Sequence, residues 1–227
     1  MILEPIKLIR NDGKVVSATY YNNSDVNDIE ILDIKNLKFE GIKTKYINKS
    51  QIHDAVLKGE NKIYLQNNKL KIVAGLSKKH LNKIISTVFT KDKDGKYSYL
   101  KKEIVSNVDL IFYAAIPILK HPELKKSMLY DLQIIHRFAV PLKIGGLVFL
   151  VMITVKERLD SKDTIIDEFA IYDLYSEAQE NKKSFDSPST VSVGNNPMTT
   201  RSHYRMINYS LNDLIAFVKA NVKNNYC

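Results

Sequence analysis

The sequence has no tryptophan, a single cysteine, and only eight glycines and six prolines in 227 residues. Lone Cys227 rules out an internal disulfide framework and a cysteine-based zinc site, and a free thiol suits a reducing compartment. No repeat or low-complexity tract interrupts the chain, and no long linker divides it. The longest apolar run, Gly145 to Val155, is far shorter than the roughly 20 residues of a membrane-spanning helix. The opening stretch "MILEPIKLIRNDGK" lacks the apolar core of a signal peptide. These features predict a cytoplasmic protein without a membrane partner. Also missing are a Walker loop, a GxGxxG turn ahead of a helix, HExxH, GxSxG and carboxylates at metal-ligand spacing. Metal, nucleotide and common hydrolase chemistries fall with them, and no cofactor is expected.

Hydrophobic residues make up 44% of the chain, enough for a sizeable core. Its 34 Lys+Arg against 25 Asp+Glu give a net charge of +9, a balance that attracts polyanions or acidic partners. Much of the excess is lysine in a chain rich in Asn, Ile and Tyr, a composition that an AT-rich genome also produces.

Periodicity sets out the fold. "DGK" at 12–14 separates "IKLIR" from "VVSATYY" as a small hairpin. Ser50 is placed to cap a helix that Gly59 ends, and Asn67-Asn68 to turn a second hairpin. Ser77 can cap "KKHLNKIISTVF", in which Leu81, Ile84, Ile85 and Val88 share one face. A single helix is expected over 99–115, stopped by Pro117. Gly145-Gly146 joins two long β-rich runs, 132–142 and 147–155, with "DEFAIYDLYSEA" as a third strand. A Ser-, Asn- and Pro-rich loop over 180–200 precedes a last helix that Ser210 caps, with Leu211, Leu214, Ile215 and Val218 facing inward. Strands, helices, strands and a helix in that order predict an α+β fold: an antiparallel β-sheet packed against several helices. A strand-rich region, 1–60, is expected ahead of a larger α+β domain, 61–227.

Five histidines, His53, His80, His121, His136 and His203, stand in basic surroundings. Histidine titrates near neutrality, so two of them can take a proton from a ribose 2′-hydroxyl and return one to the leaving oxygen. Lys or Arg would stabilise the phosphorane. His80 begins a helix beside Lys79 and Lys83, which makes either a phosphate site or an ordinary solvated basic face. His136 adjoins Arg137 in a strand whose alternation sends the two to opposite faces, His136 with Phe138 as either a packed or a catalytic group. His121 is expected as a helix cap. Arg201, His203 and Arg205 in "TTRSHYR" border the polar loop as candidate nucleic-acid contacts or plain surface. His53 has no assigned role.

The succession "LKIVAGLSKKHLNKIIS", "EIVSNVDLIFYAAIPILKH", "IIHRFAVPLKIGGLVFLVMITVKE", "FAIYDLYSEA" and "YSLNDLIAFVK" resembles the large polyvalent protein-associated domains and Mu F-type C-terminal modules of phages and mobile elements. Those modules are similar to the barnase, EndoU, colicin and RelE group of metal-independent ribonucleases. The resemblance, over roughly 61–219, implies a ribonuclease-like scaffold. It maps a basic helix onto Ser77, Lys79, His80 and Lys83, a hairpin onto His136, Arg137 and Lys156, and an aromatic strand onto Tyr172. The expectation is an RNA-binding protein, in its sharper form a metal-independent endoribonuclease. His80 and His136 would then be the catalytic pair, with Lys83 and Arg137 on phosphate and Tyr172 on a base. The alternative is a non-catalytic counter-defence inhibitor, anti-CRISPR-like, that binds a host protein or nucleoprotein complex.

Overall fold

The computed structural model describes residues 5–10, 12–23, 29–43, 46–90, 98–124, 133–159 and 163–173, and positions 212, 214–216, 218 and 219. Among them, β1 (Ile6–Ile9), β2 (Val15–Tyr20), β3 (Leu32–Ile34), β4 (Lys62–Gln66), β5 (Val73–Ser77), β6 (Ile116–Pro122), β7 (Gln133–Ile144), β8 (Leu147–Arg158) and β9 (Thr164–Asp173) form one nine-stranded sheet. The path runs β1-β2-β6-β7-β8-β9-β5-β4, with β3 beside β7. Among these strands only β3–β7 and β5–β9 pair in parallel. The fold is therefore α+β with a mostly antiparallel sheet. Strands from 1–60 and from 61–227 belong to that one sheet.

Helices α1 (Lys49–Leu57), α2 (Lys78–Thr90), α3 (Ser98–Ser106) and α4 (Val108–Ala114) supply the larger core together with one face of the central strands. Ile52, Leu81, Ile84, Ile104 and Phe112 meet Phe138, Val140, Phe149, Val151 and Ile153 there. Phe112 and Phe138 pack edge to face with centroids 5.5 Å apart, a geometry that contributes about 1 kcal/mol beyond burial. The opposite face has its own core, in which Ala139, Leu150 and Met152 pack with Ile6, Leu8, Leu119, Leu214 and Val218. Leu214 and Val218 thus lie inward, as their spacing predicts; Leu211 and Ser210 lie outside the described residues, as does the 180–200 loop. Among the described residues no helix is long and apolar enough to cross a membrane.

The β7–β8 hairpin turns at Gly145 and Gly146, whose φ values of 56° and 79° suit a two-residue turn that only glycine adopts freely. Leu100 of α3 packs against Gly145, so a side chain there would also collide. The "DGK" hairpin forms as well, pairing β1 with β2 from Ile6↔Ala18 to Ile9↔Val15.

Three local expectations are corrected. Helix α1 starts at Asn48 rather than Ser50, because Asn48 and Gln51 exchange reciprocal side-chain to backbone bonds of 3.0 and 2.9 Å, a capping box. Asn67 and Asn68 do not make a two-residue turn: Gln66 pairs with Val73, leaving six residues between the strands. Buried Asn67 instead donates to the Phe112 and Ala115 carbonyls, each at 2.7 Å, and accepts from Leu70 N. It thereby satisfies backbone oxygens that the end of α4 exposes. The expected single helix over 99–115 is two, because Ser106 Oγ and Asn107 Nδ2 both bond back to the Glu103 carbonyl and compete with the helical ladder. After α4 comes strand β6, which carries both Pro117 and His121.

Candidate functional site

The predicted site residues fall into three separate groups. The first surrounds the start of α2. Ser77 Oγ and His80 Nδ1 are 2.7 Å apart, and the His80 backbone N–H also points at that hydroxyl, at 3.4 Å. A Ser–His contact three residues apart across a helix start is a cap, and it spends the serine oxygen on the helix rather than offering it as a nucleophile. Burial holds His80's pKa below the ordinary histidine value; Asp167 pulls it up, and Lys79, Lys83 and Lys156 push it down.

Asp167 is the centre of this group. The β8–β9 register runs Thr154↔Glu168 and then Val155↔Ile166, so Asp167 is the extra residue of a bulge and has no cross-strand partner. Its carboxylate bonds Lys83 at 2.8 Å and lies 3.5 Å from Lys156, which also donates to Glu123 at 2.9 Å. Burial alone would raise the Asp167 pKa, but the Lys83 hydrogen bond and the Lys156 charge outweigh it and lower the pKa. Lys156 shows the converse: burial lowers its pKa, while its bond to Glu123 and the charge of Asp167 outweigh burial and raise it. Lys83, expected on phosphate, is therefore engaged by protein. Lys79 is exposed.

His136 anchors the second group. It is 7% exposed on β7, its ring lies alongside that of Tyr21, and the Tyr21 hydroxyl bonds its Nδ1. Its Nε2 meets Glu157 Oε2 at 2.8 Å, diagonally across the β7–β8 ladder. Burial and the Glu157 charge raise the Tyr21 pKa well above its usual value, so the phenol stays protonated and donates. Neutral His136 then donates from Nε2 to the carboxylate. Burial lowers the His136 pKa; Glu157 opposes the shift and Lys120 adds to it. This is a satisfied, half-buried chain of hydrogen bonds.

Arg137 belongs to the third group, on the other face. It is 3% exposed, and its guanidinium donates to Thr154 directly across the ladder, so it is not presented to a ligand phosphate. Near it lies His121, which sits in a strand instead of capping a helix. His121 Nδ1 bonds the Pro122 carbonyl at 2.7 Å, while its buried Nε2 has no hydrogen-bond partner among the described residues. Burial and the Arg137 charge bring its pKa down to about 4.

His80 and His136 keep different partners. His80 lies in the first turn of α2, beside Ser77 at the end of β5, whereas His136 is on β7, and β8 and β9 come between those two strands in the sheet. The charges that act on His80 (Asp167, Lys79, Lys83, Lys156) and on His136 (Glu157, Lys120) do not overlap. Of Tyr172 only the strand position is described, opposite Leu150. Arg201, His203 and Arg205 lie outside the described residues. His53 meets Asn82 at 3.1 Å and ties α1 to α2. No group of three or more His, Cys, Asp or Glu among the described residues could hold a metal ion.

Sequence reasoning missed Tyr21, Glu157 and Asp167. Glu157 was within reach of pattern reading, since the Gly145-Gly146 turn fixes the register that puts it diagonal to His136. Asp167 was not, because a bulge has no periodic signature. No family model, curated protein or solved structure matches this chain.

Proposed function

We propose that this protein binds RNA through its basic surface and does not cleave it. One observation carries the second half of that reading: the two histidines needed for paired proton transfer are held by different protein partners, His80 by Ser77 at the start of α2 and His136 by Tyr21 and Glu157. General acid and base must both reach one phosphodiester within hydrogen-bond distance. Arg137, the second phosphate candidate, is buried against Thr154. The first half is supported by the net charge of +9 and by exposed lysines such as Lys78, Lys79, Lys58 and Lys71. The resemblance to ribonuclease-like modules of phages and mobile elements supports it too, as a scaffold that keeps RNA contact without hydrolysis.

Electrostatic binding to a polyanion releases counterions, so affinity must fall linearly on a log–log plot against salt. Fluorescence anisotropy of a labelled RNA across a salt series tests this. A line with a slope of several ions is expected. A host protein captured with no RNA affinity at low salt would overturn the proposal in favour of the inhibitor alternative.

A further inference from the structure

Strand β4 ends one side of the sheet path, and its alternation puts Lys62, Tyr64 and Gln66 outward while Leu65 enters the core. Tyr64 is 68% exposed, an unusual state for so large an apolar ring on a strand. Across the ladder it faces Gly75 of β5, and Lys62 faces Ser77. The absence of a side chain at Gly75 opens a notch that the Lys62 side chain fills: a β-carbon there would overlap Lys62 Cε. Lying in that notch, the Lys62 ammonium sits 4.7 Å from the centre of the Tyr64 ring. Val73, also exposed, continues the same face. Beyond Ser77 the chain enters α2 with Lys78 and Lys79, both exposed, and the Lys78 N–H bonds the Asn61 carbonyl, which draws this basic corner against the start of β4.

An accessible aromatic ring, a cation fixed beside it and further lysines at one end of the ring's strand are what a single-stranded nucleic acid requires. The ring stacks on an unpaired base and the ammonium groups meet the phosphates on either side. A duplex buries its base faces and cannot use such a ring. We infer that the outer face of the β4–β5 hairpin, centred on Tyr64 and Lys62, is a base-stacking platform for single-stranded RNA. This rests on the RNA-binding reading and gives it a place and a strand preference. It also moves the stacking role from Tyr172 to Tyr64. An edge lysine by itself guards a sheet against self-pairing, but a guard has no use for an exposed tyrosine and valine beside it.

The chain has no tryptophan, so Tyr64→Trp introduces a sole tryptophan at the platform while keeping a stacking ring. Titration of that full-length variant with a short oligouridylate is expected to quench its emission, and a short RNA duplex is expected to leave it unchanged. Tyr64→Ala should weaken oligouridylate binding at least about fivefold, Tyr64→Phe should bind as the parent does, and Lys62→Gln should reduce the salt slope by about one. If the protein binds RNA but Tyr64→Ala binds as well as the parent and the tryptophan is not quenched, the platform is wrong and the binding reading stands. If neither the parent nor any variant binds RNA, both fall. A mass doubling in sedimentation that Tyr64→Ala abolishes would overturn the platform in favour of a second copy of the chain at this edge.

Discussion

Lowering the pH should destabilise this protein well above the range in which its carboxylates titrate, and His121 should account for much of the loss. His121 is 1% exposed, its Nδ1 is committed to the Pro122 carbonyl, and its Nε2 would have to carry a proton in a buried site beside the Arg137 charge, which the nearby Glu123 only partly offsets. The unfolded chain takes up that proton near pH 6.5, whereas the folded chain resists until about 4. The unfolded state therefore binds more protons in this window, so stability is full above pH 6.5 and is lost as the pH falls toward 4. At 1.36 kcal/mol per pKa unit, His121 alone removes about 2 kcal/mol between pH 7 and pH 4.5. With a urea m-value of about 2 kcal/mol per molar, the unfolding midpoint moves down by roughly 1 M. His80 and His136 are shifted in the same direction and add to the loss. Asp167, whose pKa is lowered, keeps its contribution until the pH falls below the ordinary carboxylate value, outside this window. Urea melts of the parent and of His121→Leu at the two pH values measure the difference. The variant loses the Pro122 bond at both, so only the pH-dependent part reports the titration, and that part should shrink by most of that amount. An equal pH dependence in parent and variant would refute the burial of a neutral imidazole at this position.

Three further outcomes come from the side-chain geometry. Glu103 is fully buried and accepts from the Lys38 and Phe39 backbone N–H groups at 2.8 and 2.7 Å, so Glu103→Ala strands two donors and should cost about 3 kcal/mol by chemical denaturation. His136→Gln should lower stability by about 1–2 kcal/mol, through its lost bonds to Tyr21 and Glu157, while leaving RNA affinity within about twofold; a large affinity loss at unchanged stability would return His136 to a binding role. Asp167→Asn removes the charge that raises the His80 pKa, so the His80 ring proton signals should titrate at lower pH than in the parent, read by NMR.

How much of the fold and the site was legible in the sequence depends on the range of the interactions involved. The β7–β8 hairpin announced itself because two glycines at positive φ sit between long β-branched runs, a wholly local signal. The inward faces of α2 and of the last helix were equally local, since Leu81, Ile84 and Ile85, and Leu214 and Val218, repeat at the helical period. Strand β6 was hidden because Pro117 reads as a helix stop without saying what comes next, and the short apolar run after it suits a strand or a helix end equally. Asn67 looked like turn chemistry, yet its amide is committed to carbonyls some 45 residues away, which no window on the sequence can show. The partners of the candidate catalytic pair were hidden for the same reason on a larger scale. His80 and His136 have suitable chemistry, but their partners, Ser77 for one and Tyr21 and Glu157 for the other, are set by the tertiary fold. Exposure was partly legible: the alternation in "KIYLQ" puts Lys62 and Tyr64 on one face opposite Leu65, although nothing local marks that face as the uncovered one.

The most direct test of binding without cleavage is one gel. End-labelled mixed-sequence RNA is incubated with excess protein in EDTA at low salt, and one half is run native and the other denatured. Binding without cleavage predicts a retarded native band and full-length RNA in the denatured half after prolonged incubation. Shortened products that disappear with both His80→Ala and His136→Ala would contradict it, because that result requires the two histidines to serve one phosphodiester.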